Sequence, residues 1–119
     1  MSERKHRVTA AERKERQDAL NVAFAKASAH GYHHIIHTLL RAGADIHDNH
    51  DAALMMAAEQ GHSGIVEYLL IMGADLHGDE AMNRALKGGN AKTVQVIADW
   101  VEERRQLNAR AQGFSPGHP

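Results

Sequence analysis

Residues 31–77 read GYHHIIHTLLRAGADIH (31–47), DNHDAALMMAAEQ (48–60) and GHSGIVEYLLIMGADLH (61–77), and the first and last of these segments carry one unit twice. At a spacing of 30 residues, Gly31, Ile35, Leu39, Leu40, Gly43, Ala44, Asp45 and His47 recur as Gly61, Ile65, Leu69, Leu70, Gly73, Ala74, Asp75 and His77, with no gap. Eight identities in register mark an internal repeat, which decides the architecture before any single element is considered. A third, degraded copy follows at a spacing of 28. In it Ala57, Gly61, Val66 and Leu69 map to Ala85, Gly89, Val94 and Ile97, and the Gly-Ala-Asp ending is lost.

Within the unit, Ala53, Leu54, Ala57 and Ala58 sit at helical spacing and Gly61 supplies a tight turn. A second helix follows at once. Ile65, Val66, Leu69 and Leu70 form its apolar face, Ser63 is placed to cap its start, and Gly73 can take the left-handed conformation that ends it. Helices of about ten residues are marginal alone in water, so these faces must be buried against neighbouring copies. The expected class is all-α.

The stretch GADIHDNHDAALMMAAEQGHSGIVEYLLIMGADLH (43–77) resembles ankyrin repeats, with Ala-Ala-x-x-Gly-His, Ile-Val-x-x-Leu-Leu and Gly-Ala-Asp at that family's spacing. The likeness covers about residues 19–105. The family's Thr-Pro-Leu-His opening is replaced by Ala52, Ala53, Leu54 and Met55. The unit is also shorter than the usual repeat of about 33 residues, like the shortened repeats of viral, mobile-element and bacterial ankyrin proteins. The resemblance implies an ankyrin-repeat solenoid of about three helix-turn-helix repeats with N- and C-terminal capping helices, and a protein-binding role.

Outward from the repeats, Thr9 and Glu12 have capping-box spacing, so a helix is expected to start near Ala10 and run into the first repeat. Asn90 can cap a last helix carrying Val94, Ile97 and Val101, longer than its counterparts because no glycine follows Ala98. The expected division is a basic N-terminal extension and capping helix (1–18), three repeats (19–47, 48–77 and 78–106) and a flexible tail (107–119).

With 119 residues and no cysteine, one domain is expected, without disulfide, thiolate nucleophile or Cys-containing zinc site. No apolar stretch approaches the roughly 18 residues of a membrane span, so no membrane contact and a cytoplasmic location are expected. The net charge of −1 hides a segregation. Residues 1–17 carry six Lys/Arg against three Asp/Glu (+3), residues 18–103 five against twelve (−7), and residues 104–119 three Arg and no acid (+3).

Ten histidines invite a metal reading, centred on His30, His33 and His37. Against it, Ile35, Ile36, Leu39 and Leu40 claim the buried face, which leaves His33 and His37 toward solvent, and no acid lies near in sequence to complete the shell. His47 and His77 are expected in loop roles, and His62 at the connection between helices. No histidine is accompanied by a nucleophile and an orienting carboxylate, so neither enzymatic activity nor a cofactor is expected.

The acidic loops point further. Asp45, Asp48 and Asp51 fall in the first inter-repeat loop, and Asp75, Asp79 and Glu80 in the second. Asp45 and Asp75 can bond to turn backbone, and Asp51 and Asp79 can stabilise helix starts. The resemblance puts these loops and the first helices on a concave binding face. Stacked there, the six residues make a negative strip that steers basic partners and disfavours direct nucleic-acid contact. The expected partner is therefore a protein, basic or itself nucleic-acid-binding. The sharpest version is an inhibitor, encoded by a phage or other mobile element, of a basic nucleic-acid-handling host complex. The alternatives are a histidine-cluster metal-binding protein and a structural homo-oligomer using Trp100 and the last helix.

Overall fold

The computed structural model describes residues 8–111, which form six helices and, among those residues, no strand. The helices α1 (Ala10–His30), α3 (Asp48–Glu59) and α5 (Glu80–Gly88) lie side by side as an inner layer, and α2 (His33–Ala42), α4 (Ser63–Ile71) and α6 (Ala91–Ala111) each fold back on the inner helix before them. Each turn within a unit is closed by a glycine of positive φ: Gly31 (81°), Gly61 (78°) and Gly89 (73°).

The core is one continuous cluster of small and aliphatic side chains running through the stack, from Phe24 and Ala27 through Leu54, Ala57, Ile65 and Leu69 to Ala81, Ala85 and Ile97. It has little room at the inner-helix crossings. A methyl group at Gly88 would overlap the carbonyl oxygen of Glu59, so α5 approaches α3 closely only because residue 88 has no side chain.

The capping box at the start of α1 forms as its spacing implies: Thr9 Oγ1 accepts from the Glu12 N–H at 3.0 Å, and Glu12 Oε1 accepts from the Thr9 N–H at 2.9 Å. Asn90 Oδ1 accepts from the Thr93 N–H at 2.8 Å. Ser63 is not the cap of α4. His62 holds that place, and its side chain bridges to the preceding unit instead, donating from Nε2 to the Ala29 carbonyl at 2.9 Å.

Two further expectations are corrected. Ile35 is about half exposed although its repeat-mate Ile65 is buried, because the preceding outer helix brings His33, Ile36 and His37 against Ile65 and no outer helix precedes α2. His33 and His37 are exposed, as expected, and their inner edges touch Gly64 and Tyr68 of α4. The tail does not begin at 107, because α6 continues unbroken to Ala111. The segment 112–119, with Gly113 to Pro119, lies outside the described residues, as do Arg4, Lys5 and Arg7 of the basic extension.

Candidate functional site

The inter-repeat loops are organised by a hydrogen-bond unit that recurs with the repeat. In the first loop, Asn21 Oδ1 accepts from the Asp45 N–H at 2.8 Å and from Gln17 Nε2 at 2.9 Å. In the second, Asp51 Oδ2 accepts from the Asp75 N–H at 2.9 Å and from His47 Nδ1 at 3.0 Å. Gln17 and His47, Asn21 and Asp51, Asp45 and Asp75 are each 30 residues apart. The second loop adds one donor, His77 Nε2, at 2.8 Å from Asp51 Oδ1. A carboxylate only accepts, so both imidazoles must present N–H to it.

Asp51 is 1% exposed. A buried carboxylate is tolerable only when its lone pairs are matched, and here three donors do so. The bond to Asp51, reinforced by the nearby charges of Asp75 and Glu80 and opposed by desolvation, raises the pKa of His77 above its ordinary 6.5. The chain reaches this geometry through left-handed backbone at Asn49, His50 and Asp51, with φ of 54°, 56° and 58°. For residues with a Cβ this costs about 1–2 kcal/mol each, offset by the bonds that fix Asp51. The next loop, where the repeat spacing falls from 30 to 28, has positive φ at His77 and Gly78.

The expected strip is therefore five residues, not six. Asp45, Asp48, Asp75, Asp79 and Glu80 are exposed, whereas Asp51 is withdrawn as an internal brace. Asp45 and Asp75 each accept from the N–H two residues on, of His47 (2.9 Å) and His77 (2.8 Å), which leaves their carboxylates at the loop tips. Asp79 stands at the N-cap of α5 without a side-chain capping bond. Glu80 lies 3.5 Å from Arg84, which also meets Glu59 at 3.2 Å.

Beside the strip, Asn49, His50, Ala52 and Met56 of α3 and Glu80 and Arg84 of α5 line a shallow groove of about 570 Å³ along the inner layer. Met55 reaches the groove from the core, almost wholly buried, and Met56 opens onto it at 36% exposure. The groove combines a polarizable apolar floor with an acidic margin, a surface that adapts to a partner's side chains.

The histidine group of the first unit is dispersed. His30 stacks on Tyr32 at 5.5 Å between ring centroids, and His37 Nδ1 meets the Tyr68 hydroxyl at 2.9 Å. Among the described residues, no three His, Asp or Glu side chains converge as a metal-ligand set.

The sequence reading missed Gln17 and Asn21 as members of the loop scaffold and took Asp51 for a surface charge. The signal was available: carried upstream into α1, the 30-residue register aligns Asn21 with Asp51 and Gln17 with His47. Against known proteins, a family model described as ankyrin repeats, in three copies, matches residues 11–112. No curated protein matches the chain.

Proposed function

Because the chain belongs to the ankyrin-repeat family, whose stacks are typically non-catalytic protein-binding modules, we propose that it binds a basic segment of a partner protein along the inner-layer groove and the loop tips beside it. The observation that carries this reading is the clustering of exposed Asp45, Asp48, Asp75, Asp79 and Glu80 on two successive loops next to a groove floored by Met56 and Ala52. Steering by such a strip acts mainly on association and weakens with salt.

The finer reading is an inhibitor, encoded by a phage or another mobile element, that occupies the positive groove of a nucleic-acid-handling host complex. Its support is the acidic body of the chain, residues 18–103 with five Lys/Arg against twelve Asp/Glu, together with the shortened repeat.

The test is retention of a basic or nucleic-acid-binding partner by the purified chain at low and moderate salt, beside the Asp48→Lys, Glu80→Lys double variant. Partner captured by the unchanged chain and lost from the folded variant supports the reading. Equal retention by both removes the strip from it.

A further inference from the structure

The inward stripe of α6 begins in the core with Thr93 and Ile97, both buried. At steps of three and four it continues as Trp100, Val101, Arg104 and Asn108. Its outer-layer neighbour α4 ends at Ile71, so from Trp100 onward α6 overruns that helix and faces chiefly the turn at residues 73–76. The space between is an open groove of about 790 Å³, floored by Leu70 and Leu76 and walled by Trp100, Val101, Arg104 and Arg105. His47 and Asp75 stand at its loop end.

The lining specifies an occupant. The Arg104 guanidinium lies 5.8 Å from the Trp100 ring centroid and has no carboxylate partner among the described residues. Among the described residues Arg105 pairs only with the solvent-exposed Glu102, at 2.9 Å, a pairing of the kind that contributes little. No acid follows Glu103 in the chain, while Arg104, Arg105 and Arg110 do. The wall is therefore cationic beside an apolar floor, the opposite polarity to the acidic strip. Trp100 itself is half-buried against the core and offers the groove only part of its ring, and arginine beside such an aromatic in a concave patch is the composition in which binding energy concentrates.

We propose that this groove is a second docking site, which takes a short acidic-aliphatic peptide segment of a partner protein. One apolar side chain of the segment packs on Trp100 and Leu76, and its carboxylates pair with Arg104 and Arg105, Arg being suited to such planar recognition. A polyanion fits less well, because Asp75 stands in the groove wall and Asp45 and Asp48 lie on the neighbouring loop. The site shares Asp75 with the loop-tip strip but no lining residue with the inner-layer groove, so a chain with both grooves occupied bridges a basic and an acidic ligand.

The experiment is selection of a phage-displayed random peptide library on the full chain, with selected peptides then titrated against the emission of Trp100, the single tryptophan. The expected result is a family of acidic-aliphatic peptides that shift that emission. Their affinity should fall by about ten-fold or more in the Arg104→Glu, Arg105→Glu variant, by less in Arg104→Gln, Arg105→Gln, and not at all in Asp48→Lys, Glu80→Lys. Circular dichroism confirms that each variant is folded. The proposal is overturned if no such family is selected, if the peptides leave Trp100 emission unchanged, or if they bind the arginine variants equally well. It is also overturned, in favour of a nucleic-acid site, if an oligothymidylate displaces the peptides with the same arginine dependence.

Discussion

Asp51 and Asn21 do the same work with different charge. Each caps the N–H of the residue 24 positions on, but only Asp51 is flanked by two imidazoles. Asp51→Ala takes the acceptor from the Asp75 N–H and releases the partly exposed His47 and His77 imidazoles to water, and is expected to cost about 1–3 kcal/mol in urea denaturation. Asp51→Asn, which copies the first loop, should cost only about 1 kcal/mol. The imidazole bond also makes stability depend on pH. Because the folded pKa of His77 is raised, its contribution is complete below the ordinary value of 6.5 and is lost as pH rises through the folded value. Midpoints measured from about pH 6 to 8 should therefore decline more in the unchanged chain than in His77→Gln; parallel curves would show that the bond adds no pH-dependent stability. None of this was legible from residue types, because an aspartate in a loop reads as solvated until the opposing N–H is known. The pairing of Asp51 with Asp75 becomes visible only when two loops are stacked.

Among the elements, the helices of the repeat were the most legible part, since Gly61, Gly73 and the Ile65–Leu70 stripe each have one sensible local meaning. The capping box of α1 was equally plain. The close crossing of α5 over α3 was not, because Gly88 beside Gly89 reads as a helix stop. Its structural role follows from contact with Glu59, a residue 29 positions earlier. Gly88→Ala therefore sets two effects against each other. Helix propensity favours alanine by up to about 1 kcal/mol, while overlap with the Glu59 carbonyl forces the helices apart at a cost of about 1–3 kcal/mol. A net loss of stability is expected on thermal melting, and a stabilised variant would mean that the crossing is loose. The exposure of Asp45, Asp48, Asp75, Asp79 and Glu80 was legible for a simple reason: they lie at loop tips and helix starts, where exposure follows from position.

At the scale of the molecule, each unit of a linear stack is stabilised by its neighbours, and only the middle unit has one on both sides. Hydrogen exchange should accordingly be slowest from Leu54 to Leu70 and fast both in the first turns of α1 and in α6 beyond Val101. Protection of the α6 overrun equal to that of α4 would show that the overrun is covered in solution. No helix among the described residues is long and apolar enough to cross a membrane.

The loop ladder also bears on how such a chain can lengthen. The bonds from Asp51 to Asp75 and His77 both lie within residues 48–77, so a tandem duplication of that segment would bring its own brace and its own glycine stops. Each added copy would regenerate the joint it needs. The other boundary is closed to such growth: α6 passes without a glycine through the place where Gly73 turns the preceding unit, and Asp79 has no following loop to cap. A change in length is thus accommodated most readily in the interior of the array, where each copy carries its own brace.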